Sequence, residues 1–167
     1  MGAKVAAAVG SSLFLALAPG VVAGVVPWLV TGWESRHPPL ALQVAGVVLI
    51  AAGGAVLIHS FARFVVEGVG TPAPIAPTER LVVGGLYRYV RNPMYIAVAA
   101  TIVGQAALLG QPVLLAYAAV FLAVVAAFVH GYEEPTLTRQ FGARYDEYRR
   151  AVPGWWPRRR PWRGGAA

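Results

Sequence analysis

In a chain of 167 residues, 57% hydrophobic and only 13% charged side chains leave more apolar surface than a soluble domain can cover. A mean hydropathy of +0.60 likewise indicates an integral membrane protein, and membrane-spanning backbone satisfies its own hydrogen bonds most simply as an all-α bundle. Cysteine is absent, which excludes disulfides, thiolate metal sites and a cysteine nucleophile, and the three histidines are too scattered for a metal site.

The first apolar run, Val5 to Val30, would rise about 39 Å as a helix at roughly 1.5 Å per residue, against a hydrocarbon core of about 30 Å. Tilt or a kink is therefore expected, with Pro19-Gly20 as the kink. Lys4 ahead of the run also suits a signal peptide, but the apolar stretch continues well past a cleavage point near Ala18, which favours a retained span. A second span is expected from about Leu40 to Phe64, a third from about Met94 to Leu109 and a fourth from about Val113 to His130. Gly110-Gln111-Pro112 makes the last two a tight helical hairpin.

Between the second and third spans, Val65 to Asn92 is a long connection for a small bundle. Pro72, Pro74 and Pro77 stiffen it, while Leu81, Val82, Val83, Leu86, Tyr87 and Tyr89 favour burial. Gly84-Gly85 permits a sharp turn or close approach to a ligand. After Pro135, Leu137, Phe141, Tyr145 and Tyr148 recur at helical spacing, which predicts an amphipathic helix along the membrane surface, serving either as an anchor or as a lid.

Four spans would place Lys4, the arginines of the middle loop and those of the carboxyl tail on one side, with Arg36 alone opposite. The positive-inside rule then makes both termini cytoplasmic, in a multi-pass protein of the cell's inner membrane. A basic face of this kind suits anionic lipid headgroups. Trp155, Trp156 and Trp162 are residues expected at a bilayer interface, a better account of the tail than nucleic-acid binding.

The densest chemistry lies in Tyr87-Arg88-Tyr89-Val90-Arg91-Asn92-Pro93-Met94-Tyr95, immediately before the third span, and in Glu133-Glu134 just after the fourth. If the third and fourth spans form a hairpin, Arg91 to Tyr95 and His130 to Glu134 share one corner. A structural ion pair between Arg88 or Arg91 and a glutamate would account for the charges there, and so would a binding site. The corner offers no thiol and no metal-ligand cluster, and no serine or threonine stands beside a base in either segment, which disfavours covalent hydrolysis. Mixed charge with aromatic lining suits a zwitterionic, nucleoside-containing cofactor, with an apolar substrate admitted from the lipid side.

Leu81-Val82-x-x-Gly85-x-Tyr87, Arg91-Asn92-Pro93-Met94-Tyr95, Glu133-Glu134, and Phe141-Gly142-x-x-Tyr145-x-x-Tyr148 ending at Val152-Pro153 follow one another in this order. From Gly70 to Pro157 the chain thereby resembles the isoprenylcysteine carboxyl methyltransferase and phospholipid methyltransferase group of integral membrane enzymes. Length and hydropathy give a single membrane domain over 1–167, with two amino-terminal spans in 1–65 that match the group only in hydropathy and a basic tail in 158–167, and the resemblance makes 66–157 a methyltransferase-like core. It further implies methyl transfer from S-adenosyl-L-methionine, held in a cytoplasmic pocket, to a lipophilic or lipid-modified substrate.

Carried over by motif position, Leu81, Val82 and Tyr87 would wrap the cofactor, and Asn92, Pro93, Met94 and Tyr95 would line its pocket. Glu79 stands where eukaryotic members place a histidine of the same pocket, and Glu133 would hold the cofactor's polar end. Arg91 and Glu134 would be the catalytic pair, Arg91 orienting an anionic group, and His130 would contact substrate. Asn92 replaces the histidine most familiar in the group, and an amide cannot act as a base near neutral pH. A carboxylate nucleophile needs no base, whereas an amine or hydroxyl would have to pass a proton, to Glu134 or His130. Two alternatives are a sterol-type membrane reductase binding NADPH, which shares a Gly-x-Tyr and Arg-x-Pro-x-Tyr pattern, and a non-catalytic lipid-binding protein.

Overall fold

The computed structural model describes residues 17–63, 66–67 and 80–164, and within them every regular element is helical. Helix α1 (Leu17–Thr31) and helix α2 (Leu40–Arg63) come first. A short 3-10 turn at Gly85–Arg88 leads to α3 (Pro93–Leu109). Helix α4 (Val113–Phe128) runs through a π turn (Val129–Glu133) into α5 (Glu134–Phe141), and α6 (Ala143–Ala151) follows.

Among the described residues, two segments are long and apolar enough to cross a membrane: α2, with 24 residues, and the continuous helix Val113–Phe141, with 29. Helix α3 is apolar but shorter, its 17 residues rising about 26 Å against a core of about 30 Å. The described part of α1 is shorter still. The expected beginning of the first span at Val5 and the end of the second at Phe64 lie outside the described residues. Leu42, Val44, Val48 and Ile58 on α2 and Leu115, Val120 and Val124 on α4 are exposed, as lipid-facing side chains are.

Helix α2 packs most extensively on α3, and glycine sets how closely. A Cβ on Gly46 would lie 2.5 Å from the Gly104 carbonyl oxygen and 2.6 Å from the Leu108 nitrogen, and one on Gly53 would lie 2.8 Å from the Ala97 carbonyl oxygen. Removing these methyl groups lets the backbones touch, the usual route to helix association where the surroundings are as apolar as the side chains. Val98, Ile102 and Ala106 of α3 then pack with Leu114 and Ala118 of α4, and Val22 and Ala23 of α1 close the cluster.

The irregularity expected at Pro19-Gly20 sits further along α1, as a π turn over Val21–Val25. Pro27 has no N–H to offer the carbonyls of Val22 and Ala23, so the helix widens ahead of it. Those carbonyls are satisfied from other helices: Gln105 Nε2 donates to Ala23 at 2.6 Å and the Tyr117 hydroxyl to Val22 at 2.9 Å. Gln105 Oε1 accepts in turn from Trp33 Nε1 at 3.1 Å. A proline that breaks α1 locally thus ties it to α3 and α4.

The hairpin between α3 and α4 forms as its sequence indicates, with Gly110 capping α3 at φ 68°. The carboxyl-terminal region departs from expectation by being two helices, parted at Gly142 with φ 54°. Its apolar stripe is covered by the chain itself: Leu137, Phe141, Tyr145 and Tyr148 pack with Leu81, Val152 and Trp162. Trp162, expected at the bilayer interface, is buried with its ring 5.3 Å from that of Tyr148, because the tail folds back over α6. Gly84-Gly85 does admit a close neighbour, but it is the end of α2. Gly84 N–H donates to Glu67 at 2.9 Å, Glu67 pairs with Arg63, and a Cβ on Gly85 would lie 2.5 Å from His59 Nε2.

Gly46→Ala is expected to destabilise the protein by about 1–3 kcal/mol, because backbone atoms, which cannot rotate away, occupy the new methyl's place. Gly54→Ala in the same helix meets nothing within 4 Å and should be neutral or slightly stabilising. Thermal unfolding of both variants in one detergent checks the contrast.

Candidate active site

The short hairpin brings the start of α3 and the end of α4 to the same end of the bundle, and the charged segments meet there. Arg91 Nη1 donates to Glu134 Oε1 at 2.6 Å, and the Tyr95 hydroxyl donates to Glu133 Oε2 at 3.1 Å. Arg149 of α6 reaches the second Glu134 oxygen at 3.0 Å. Arg91 also donates to the Tyr145 hydroxyl at 3.2 Å and, through Nε, to the Val152 carbonyl at 2.9 Å. A second proline device helps: Pro135 follows the π turn Val129–Glu133 as Pro27 follows the first. A π turn holds an extra residue, which resets the register so that adjacent glutamates both reach the start of α3.

Beyond α6 the tail runs back across the motif segment. Arg91 N–H donates to the Pro153 carbonyl at 3.0 Å and Asn92 N–H to Gly154 at 3.1 Å, while Arg158 and Trp162 donate to Tyr89 and Arg88 at 2.9 Å each. Arg88 Nε returns a bond to the Trp162 carbonyl at 2.6 Å, and the Tyr148 hydroxyl donates to the Tyr87 carbonyl at 2.7 Å. Gly154 keeps the crossing tight, since a Cβ there would lie 3.3 Å from Arg91 Nη2 and 3.4 Å from Asn92 Nδ2.

Of the residues singled out from sequence, Arg91, Tyr95, Glu133 and Glu134 form one hydrogen-bonded cluster with Asn92 and Pro93 buried beside it. Met94 is half-buried in the first turn of α3. Asn92 occupies the N-cap position without capping the helix through its side chain, and its Nδ2 is buried with no hydrogen-bond partner. A buried amide donor in that state is costly unless a further acceptor meets it. Leu81 and Val82 are buried, Leu81 against the tail's aromatic rings, and the Tyr87 phenol is buried beside Ser60 of α2. His130 is not brought into the cluster: it is exposed, with Nδ1 2.9 Å from the Ala126 carbonyl of its own helix. Glu79 lies outside the described residues, which contain no group of potential metal ligands.

Electrostatics follow from burial. Burial works against the charge on Arg91, but the Glu134 hydrogen bond and the neighbouring Tyr145 outweigh it and raise the guanidinium above its ordinary value. Burial raises the Tyr87 phenol, with Tyr148 adding to it, and raises Tyr145 and Tyr148 against the opposing pull of Arg91. With both oxygens engaged by guanidinium groups, Glu134 is a clasp between elements rather than a free proton acceptor. Arg149 was not recognisable from sequence as part of the site, since nothing separates it from the other tail arginines. Tyr145 was recognisable as a motif position, though not as a partner of Arg91.

Glu134→Gln should cost about 3–5 kcal/mol of stability, because it leaves Arg91 buried without its counter-charge. Arg149→Gln should cost less than about 1 kcal/mol, since its side chain is 48% exposed. Denaturant unfolding in detergent separates the two. The raised phenols favour the fold fully below the unfolded tyrosine value of about 10, and that contribution fades as pH rises past it. Ultraviolet titration should therefore show the phenols of Tyr87, Tyr145 and Tyr148 ionising only together with loss of helix.

Residues 42–144 match the phospholipid methyltransferase family, a stretch running from α2 through the Arg91 to Tyr95 segment and both glutamates into the start of α6. No curated protein and no solved structure matches the chain. The family match covers more than half of the 167 residues, and the motif residues within it converge on one buried cluster. The chain therefore belongs to the phospholipid methyltransferase family of membrane methyltransferases.

Proposed function

We propose that this protein transfers a methyl group from S-adenosyl-L-methionine to a lipophilic substrate at the cytoplasmic face of the inner membrane. The observation that carries this reading is the buried, partnerless Asn92 Nδ2 beside Arg91, at the junction of α3, α4 and the tail. A ligand with carboxylate or hydroxyl oxygens, as this donor has, supplies the acceptor that Asn92 lacks. Glu133, with Oε2 held by Tyr95, keeps its other oxygen for the ligand's ammonium. In this reading Pro93, Met94 and Tyr95 would line the ligand's pocket and Leu81, Val82 and Tyr87 would back it, while Glu79, the remaining candidate, lies outside the described residues.

When bound, the donor supplies a sulfonium-activated methyl group, so the protein's task is alignment and exclusion of water. Arg91 and Glu134 act by fixing the corner: their pair holds the start of α3 against the end of α4 and keeps Asn92 and Glu133 at a constant spacing. Arg91 retains its charge across the physiological range and orients an anionic group of the ligand or substrate. The substrate enters from the bilayer past the Phe128 and Tyr132 rings, stacked at 5.3 Å and exposed, with His130 on the same turn as its first polar contact.

Calorimetry with S-adenosylmethionine and with NADPH tests the cofactor, and a labelled-methyl assay on membrane lipid extracts tests the transfer. Asn92→Ala should weaken S-adenosylmethionine binding by about 2–10-fold, the range of one hydrogen bond. Glu133→Gln should weaken it at least as much, whereas His130→Ala should leave it unchanged. NADPH binding in place of S-adenosylmethionine would support a reductase, and binding of neither would support a non-catalytic lipid-binding role.

A further inference from the structure

The tail that crosses the motif segment carries more positive charge than the site uses. From Tyr148 to the end of the chain there are six arginines and no acidic residue. Arg149 is taken by Glu134, Arg150 donates to the Asp146 carbonyl at 3.1 Å, and Arg158 donates to the Ala151 carbonyl at 2.7 Å. Arg159, Arg160 and Arg163 are exposed and, among the described residues, have neither ion-pair nor hydrogen-bond partners. The tail's tryptophans divide in the same way. Trp162 is in the core and Trp155 lies with its ring 6.4 Å from Tyr95, but Trp156 is 82% exposed.

An exposed tryptophan beside unpaired arginines matches the chemistry of an anionic headgroup layer, where the indole sits at the interface and each arginine meets a phosphate. The tail's level fits as well. Its backbone bonds to Arg88, Tyr89, Arg91 and Asn92 hold it immediately before the apolar helix α3, the level at which a helix crossing the bilayer would meet the headgroups. We infer that Trp156, Arg159, Arg160 and Arg163 form a docking surface for anionic membrane lipid, and that docking there steadies the Asn92 corner. The link is mechanical: the segment that would rest on the headgroups also supplies the carbonyls of Pro153 and Gly154 that fix the Arg91 and Asn92 amides. The membrane's surface charge thereby sets how often the corner is correctly formed.

This inference does not depend on methyl transfer, and its test uses neither cofactor nor substrate. The full chain is placed in lipid nanodiscs of phosphatidylcholine alone or with one third phosphatidylglycerol, each with a brominated-lipid counterpart. Bromolipid quenching attributable to Trp156, obtained by difference from Trp156→Phe, should be at least twofold stronger in the anionic discs. Amide exchange at Arg91 and Asn92 should slow several-fold there, and 0.5 M salt should remove most of the difference, as screening at a Debye length of about 4 Å requires. The triple variant Arg159→Gln, Arg160→Gln, Arg163→Gln touches only exposed side chains and should abolish both effects while retaining helix content. Equal quenching and exchange in the two discs would overturn the proposal, as would a triple variant that keeps the difference. Capture of a single-stranded oligonucleotide by neutral discs, lost in the triple variant and unaccompanied by any lipid-charge effect, would replace it with nucleic-acid binding.

Discussion

The buried pair between Arg91 and Glu134 is the contact on which the arrangement depends. Arg91 precedes α3, Glu134 follows the π turn after α4, and the remaining Glu134 oxygen and Arg91 donors reach α6 and the tail. One carboxylate, 4% exposed, thus joins three parts of the chain that are distant in sequence. Such a pair contributes little net energy relative to an apolar contact, since desolvation offsets attraction, but it strongly penalises any arrangement that separates the partners. Its effect is to make one geometry of the corner much more favourable than its neighbours.

Proline shapes both ends of the bundle through the same physics. Pro27 and Pro135 each withhold an N–H from carbonyls one turn back, and a π turn precedes each. In α1 the carbonyls left over are captured by Gln105 and Tyr117, which turns a local defect into tertiary bonds. At the end of α4 the extra residue aims adjacent glutamates at one partner helix. The glycines of α2 and α3 complement this by letting those two backbones touch, while Gln105 ties α3 to α1.

Much of this was legible in the chain itself. The apolar runs, the Gly110 turn and the order of the motif residues located the helices and brought Arg91 and Tyr95 to the two glutamates. The tail was legible only in part. Its stripe of Leu137, Phe141, Tyr145 and Tyr148 has helical spacing, yet the same spacing describes a helix lying on a bilayer and one covered by the chain's own Leu81 and Trp162. Periodicity reports that a face is apolar and not what covers it.

The sequence by itself determined that the protein is helical and apolar, which residues crowd at the ends of α3 and α4, and which family it belongs to, because these follow from local composition and spacing. The tertiary structure alone decided that Glu134 is clasped by two arginines, that His130 stays outside the hydrogen-bonded cluster, that Trp162 is buried while Trp156 is not, and that Asn92 is left with an unmet donor. Apart from His130, which bonds its own helix, those outcomes depend on where the tail returns after Gly142. That return is set by backbone hydrogen bonds to residues 88–92, and outside proline every residue offers the same amide and carbonyl, so such bonds leave no mark in the order of side chains.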